Sequence, residues 1–321
     1  MNKQLIMELC MDVRHNRSSV ADQTTEQRKV ELVELFSNLM SNYERNKVEI
    51  NEIIKENVNA VLKQRVGNAL DVIAEIAYVP HGVKKEYNVR RGTIKVEYVA
   101  LGSEIRRQKI YRSKVEAKPQ AIGAAVYAEW DDVLAGRAES FTDMIDEIAE
   151  KTLEQVLVSI QNTFVKAMIN APAANKYTGA FALQQIRNVA NTVSAYGKPV
   201  IVGTSVALSN ITSDAGFKAS MSDNMKDEFN KNGFIGVWEG KALVQLPNTF
   251  TDETNTEWVL DNKNLFVIPV NADKPVKVTF EGGAEMLEQQ SFTDGSITKK
   301  TLQKVGVNVL QVPNLGLITI T

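Results

Sequence analysis

Between His81 and Lys118 the chain carries eleven cations and four anions, a net of +7, threaded through short runs in which apolar and polar residues alternate. Tyr87 and Val89, then Ile94, Val96 and Tyr98, then Ile105 to Tyr111 follow the two-residue period of a β-strand. Arg91-Gly92 predicts a hairpin turn, and Gly102 marks a second break. A ribbon of two or three such strands buries too little apolar surface to hold its shape alone in water. It must lie on something, whether its own subunit, a nucleic acid or another molecule.

The sign then reverses. From Glu129 to Glu154 there are nine anions and two cations, a net of −7, so the two segments are near mirror images in charge. Overlapping the acidic stretch, Phe141, Met144, Ile145, Ile148, Leu153, Val156, Leu157, Ile160, Phe164 and Met168 form an apolar stripe at helical spacing. Ser140 and Asp143 make a cap-like start, and Pro172 stops the pattern. A helix over residues 140–170, at about 1.5 Å per residue, spans roughly 45 Å and would serve as a spine.

Before the ribbon, residues 25–77 carry Val30, Val33, Phe36, Met40 and Tyr43, then Ile50, Ile53, Ile54, Val58, Val61 and Leu62 at helical spacing, predicting one or two amphipathic helices. The polar stretch Asn16 to Thr25 reads as a flexible or partner-ordered arm. After the long helix the pattern becomes α/β. A helical stretch from Phe181 to Val193 leads into an apolar strand at Val200 to Gly203 and a short helix at Ser205 to Ile211. Two short strands flank Glu239-Gly240, and another apolar strand covers Leu265 to Val270. Alternation returns in Val276, Val278 and Phe280, then in Ile297 to Leu302, Val305 to Val312 and Leu315 to Ile320.

Familiar chemistry has little material here. A single Cys10 excludes an intramolecular disulfide and a Cys-rich zinc site, and His15 and His81 lack a Ser, Cys or Asp at an informative spacing. Val200-Ile201-Val202-Gly203-Thr204-Ser205 has the strand–glycine–helix layout that can cradle a phosphate, without the spacing of either common nucleotide motif. An ordinary strand–helix connection is the simpler reading. Asp131-Asp132 beside Trp130 offers carboxylates for a hard cation or for proton transfer, but helix capping or ion pairing accounts for them as well. No apolar run approaches the roughly 18 residues that cross a bilayer. The length of 321 residues suggests about two compact units.

Three readings of the ribbon stand beside each other. Tyr87, Tyr98 and Tyr111 interleave with Arg and Lys as in platforms that stack nucleic-acid bases, although a chain with a net charge of −2 is a poor dedicated DNA binder. The cations could equally be a solvated strand face. In the third reading the ribbon docks on an acidic neighbouring copy, for which the −7 segment offers a matching surface; networks of pairs are worth more than isolated surface pairs.

The order of parts is an arm, a basic hairpin, a long helix, an α/β unit and a returning β segment. It resembles the major capsid proteins of tailed bacteriophages, with the Hong Kong 97 fold that encapsulin shells share. Lys118-Pro119-Gln120-Ala121-Ile122 through Val133-Leu134 is similar to the family's strand and short acidic helix, and Trp238-Glu239-Gly240-Lys241-Ala242-Leu243-Val244 to its hairpin. Val305-Gly306-Val307-Asn308-Val309 through Pro313 to Ile318-Thr319-Ile320 resembles its final strands. Asn170 to Gly179 departs from the pattern in lacking the glycine-rich turn often found there.

The resemblance implies an α+β fold: residues 1–80 a helical N-terminal arm reaching across neighbours, 81–118 an extended β-hairpin loop, and 119–179 a peripheral domain with the spine helix. Residues 180–269 would form an axial α/β domain, and 270–321 the C-terminal strands of the peripheral domain. The function implied is that of a major capsid protein, which self-assembles into hexamers and pentamers of an icosahedral phage head around double-stranded DNA. No catalysis, cofactor or metal is expected. An encapsulin-like nanocompartment shell is the alternative within the fold, and a nucleotide-binding α/β enzyme the alternative outside it. Expected partners are further copies, a separate scaffold protein, a portal and DNA held without sequence recognition, with no membrane. The virion is the expected location, after assembly in the host cytoplasm. With the sequence starting at Met1, the whole arm is expected to be retained. Arg90, Arg91, Arg106, Arg107 and Arg112 are expected to face Glu129, Asp131, Asp132, Asp143, Asp146, Glu147 and Glu150 of an adjacent copy. Tyr87, Tyr98 and Tyr111 would add apolar contact.

Overall fold

The structure is a computed structural model that describes residues 42–91, 107, 111–128, 138–214, 236–270, 273–290 and 297–321, together with Gln27, Glu31, Glu34, Leu35, Asn38 and Leu39. In chain order its main elements are α1 (Tyr43–Leu70), β1 (Ala74–Val79), β2 (Glu86–Arg91), β3 (Tyr111–Glu116), β4 (Gln120–Ala128) and α2 (Ala138–Met168). There follow β5 (Lys176–Gly179), α3 (Leu183–Ser194), β6 (Lys198–Thr204), α4 (Ser205–Ser213), β7 (Val237–Trp238) and β8 (Lys241–Leu246). The chain ends with β9 (Asn264–Val270), β10 (Val276–Gln290), β11 (Ile297–Val309) and β12 (Gly316–Ile320).

Residues 43–79, expected in an arm that reaches across neighbours, are built into the chain's own core. The apolar stripe of α1 (Ile50, Ile53, Ile54, Val58, Val61, Leu62, Val66 and Leu70) is buried throughout. Its C-terminal half joins one core cluster with α2 and strands of both large sheets. β1 then pairs in parallel with β10, from Ala74 opposite Val276 to Val79 opposite Glu281. Polar ties complete the attachment: Arg65 reaches Asp146 and Glu150 of α2 at 2.9 and 3.1 Å, and Asn59 accepts the backbone N–H of Ala284 at 2.8 Å. The polar stretch Asn16 to Thr25 lies outside the described residues.

Two sheets carry the body. One has the order β1-β10-β11-β4 and the other β5-β12-β9-β6-β8-β7. The long helix forms within two residues of the expected ends, and its stripe of Val156, Leu157, Ile160, Phe164 and Met168 packs into the main core. There Phe164 meets Phe266 of β9 edge-on at 4.7 Å. The central strand β6 reads as a continuous apolar run because both its faces are covered. Val200 and Val202 face the main core, whereas Ile201 joins α3 and α4 in a second cluster with Trp238, Leu265 and Val267.

The last strand shares a sheet with a strand from the middle of the chain. β12 is expected with the peripheral strands, and Lys176–Gly179 with the segment before the α/β unit. Both are strands of the six-stranded sheet, where β12 lies between β5 and β9. Buried Asn175 holds the approach to β12 by donating from Nδ2 to the carbonyls of Pro313 and Leu315, at 2.9 and 2.6 Å. Asn175→Ala leaves two carbonyls without that donor, and a loss of about 1–3 kcal/mol in urea unfolding of the dissociated subunit is expected.

Candidate intermolecular surface

The basic ribbon has a neutral, seated root. β2 and β3 pair antiparallel from Glu86 opposite Glu116 to Arg91 opposite Tyr111. Strand β2 therefore continues through Arg91, and Gly92, the second residue of the expected turn, lies outside the described residues. Tyr87 and Val89, on one face by alternation, pack with Ala117 and Leu310 in a small buried cluster. The Tyr87 hydroxyl lies 2.7 Å from Thr279 Oγ1 of β10, and burial pushes its phenol pKa up. Tyr87, expected to contact a neighbouring copy, is therefore spent inside its own chain, with 6% of its surface exposed.

Beneath Tyr87 lies Lys277, which sequence reasoning passed over. Along β10, Val276, Val278 and Phe280 enter the main core, so alternation sends Lys277 and Thr279 to the opposite face. That face is covered by the ribbon root, leaving Lys277 only 4% exposed and Thr279 fully buried. The ammonium bonds Glu75 of β1 and Asp273, and sits 5.9 Å from the centre of the Tyr87 ring. Burial works against its charge, but the hydrogen bonds to Asp273 and Glu75 and their negative charge prevail and raise its pKa. A lysine in a β-strand otherwise alternating cleanly was the only signal available.

The ribbon's charges divide into matched and unmatched rungs. Glu86 opposite Glu116 would repel, but Lys84 bonds Glu116 at 2.9 Å and Lys114 bonds Glu86 at 2.5 Å. Four residues on, Arg90 stands opposite Arg112. Among the described residues no carboxylate pairs with Arg112 or Arg107, and both are exposed. The acidic partners also divide. Asp146 and Glu150 hold Arg65 of their own chain, each still partly exposed, and Glu147 is exposed. Arg90, Arg91, Tyr111 and Asp143 are placed as backbone positions of β2, β3 and α2. Arg106, Tyr98, Glu129, Asp131 and Asp132 lie outside the described residues.

The phosphate-cradle alternative loses its cradle. A side chain at Gly203 would meet Leu265 Cδ2 at 2.6 Å, so this glycine serves the close approach of β9. Thr204 caps α4 by accepting the Ala207 N–H at 3.3 Å. His81 sits in a turn closed by Gly82, whose φ of 78° suits glycine and whose N–H donates to Glu281 at 2.9 Å. Among the described residues no helix is long and apolar enough to cross a membrane.

A family model described as "SPbeta prophage-derived putative capsid protein YonB" matches residues 6–319. No curated protein matches the chain in sequence. Among solved structures, the chain is similar to that of Microbacterium phage Oxtober96, with a TM-score of 0.56 and 11% identity over 79% of this chain and 90% of that one. It is similar to a chain of the satellite phage P4 procapsid that includes the size determination protein Sid, with a TM-score of 0.54 and 11% identity over 81% and 90%. The capsid of a native GTA particle gives 0.54 and 12% over 79% and 90%. At such identities the likeness is one of fold, and the mixed helix and sheet architecture is that of phage capsid proteins.

Proposed function

The chain belongs to the family of SPbeta prophage-derived capsid proteins, and from that premise we propose that its copies form hexamers and pentamers and close as an icosahedral head around double-stranded DNA. It is a structural protein of a capsid shell and not an enzyme. In this reading α2 is the spine of a peripheral domain made with the four-stranded sheet and α1. The six-stranded sheet with α3 and α4 is the axial domain, and β2 with β3 begins the extended loop. A scaffold protein, a portal and DNA held without sequence recognition complete the list of partners.

The observation that carries this reading is the contrast along the ribbon. Its root is anchored and its like-charged Glu86–Glu116 rung is compensated from within the chain. At the Arg90–Arg112 rung no carboxylate pairs with Arg112 among the described residues, and like charges facing each other in a ladder cost stability until an anion is supplied. In the proposed assembly the acidic flank of a neighbouring copy supplies it.

Charge reversal tests this directly. Arg107→Glu with Arg112→Glu places a carboxylate opposite Arg90, so the ribbon itself is relieved of a repulsion while the contact with an acidic neighbour becomes repulsive. Shell yield should fall by at least about tenfold, the factor that ~1.4 kcal/mol per contact already gives, with folded subunits remaining. Shells closing at normal yield, counted by electron microscopy, would refute the charge pairing.

A further inference from the structure

An unpaired sheet edge invites another strand, and folded proteins blunt such edges with short strands, charges or proline. Among the described residues four strands end the two large sheets: β1, β4, β5 and β7. Three of them are blunted. β7 has two residues, β5 has four including Lys176, and β1 has six including Glu75. β4 is the exception, with nine residues, Gln120–Ala128, and neither a charge nor a proline. Its one partner among the described residues is β11.

The space beside it suits a strand. A cleft of about 380 Å³ separates β4 from α2, walled by Ala121, Ile122 and Gly123 on one side and Lys151, Thr152 and Gln155 on the other. Among the described residues its wall holds none from β11. The one cation there, Lys151, is already held by Glu154 at 3.0 Å, which leaves nothing to select an anion. What the site offers is main-chain donors and acceptors at the ordinary strand spacing beside small side chains.

We infer that in the shell an extended, uncharged segment of a second copy pairs with the outer edge of β4. The inference rests on the shell reading above, in which the neighbours of each subunit are copies of itself. Continuity points the same way: β3 ends at Glu116 and β4 begins at Gln120, so this edge starts beside the ribbon root and extends the surface already given to a neighbouring copy.

Hydrogen exchange on wild-type particles and on the subunits dissociated from them reads the edge without any substitution. Amides within residues 120–128 should slow by about tenfold or more on assembly. A photoreactive residue at position 121, in particles made from a mixture of light and heavy isotope-labelled subunits, should yield crosslinked peptides that combine the two labels. Particles whose β4 amides exchange as fast as in the dissociated subunit, or crosslinks that join position 121 only to its own chain or to a different protein, overturn the inference and leave the shell reading standing. A wild-type protein that forms no particles overturns both.

Discussion

Deleting residues 1–79 should leave no cooperatively folded subunit, because the segment supplies one wall of the core and not a detachable arm. Eight buried aliphatic side chains of α1 leave with it, each worth about 1.5–3 kcal/mol of burial. Their combined contribution, about 12–24 kcal/mol, matches or exceeds the net stability of about 5–15 kcal/mol typical of a folded protein. β1 departs as well and uncovers the edge of β10. The expected result is insoluble material, or a chain with a broad, non-cooperative thermal transition by circular dichroism. A truncated protein that stays soluble and melts sharply would restore the idea of an arm. A finer check is Ile53→Asp, which buries a carboxylate at a fully enclosed position and should be equally damaging while removing no chain.

The contrast between α1 and α2 shows what periodicity conveys. Both helices were legible, because apolar residues three and four apart define a face wherever that face goes. The destination was not. α1 packs against α2 and sheet strands some two hundred residues downstream, and the parallel pairing of Ala74 with Val276 leaves no local mark in either segment. Strand β6 was legible for a related reason, since the short β-branched run Val200-Ile201-Val202, bounded by Gly197, Pro199 and Gly203, suits a strand covered on both faces. The sheet of Gly316–Ile320 was not legible, because alternation identifies a strand without naming its sheet.

The candidate surface divides in the same way. Counting charges located a basic ribbon and an acidic flank, but a count does not reveal which charges are matched within the chain. Asp146 and Glu150 stand four residues apart, one helical turn, and that spacing lets the single guanidinium of Arg65 hold both. Tyr87 reads as one of three equivalent tyrosines until the face of β10 that carries Thr279 is known to be covered. The root of the ribbon is thus a property of tertiary structure, whereas its surplus of cations is a property of sequence.

Neutralising both acids around Lys277, by Glu75→Gln with Asp273→Asn, should cost the dissociated subunit about 3–5 kcal/mol, because a buried ammonium would be left without an anion. Lys277→Met should cost much less. The two carboxylates are 47% and 56% exposed and return to water, while the methionine fills most of the space under Tyr87. The asymmetry follows from which partner is buried, and it is measured by comparing urea midpoints; equal losses, or the reverse order, would contradict it. The lysine's raised pKa adds a pH signature. Protonated Lys277 contributes fully below the ordinary lysine value of about 10.5, and that contribution is lost as pH rises through the higher folded value. The alkaline fall in wild-type stability should therefore flatten in Lys277→Met. Assembly should follow the same order, since the double neutralisation loosens the seat of Tyr87 and with it the direction in which the ribbon leaves the body. Lys277→Met keeps that seat filled, so its subunits should still close shells.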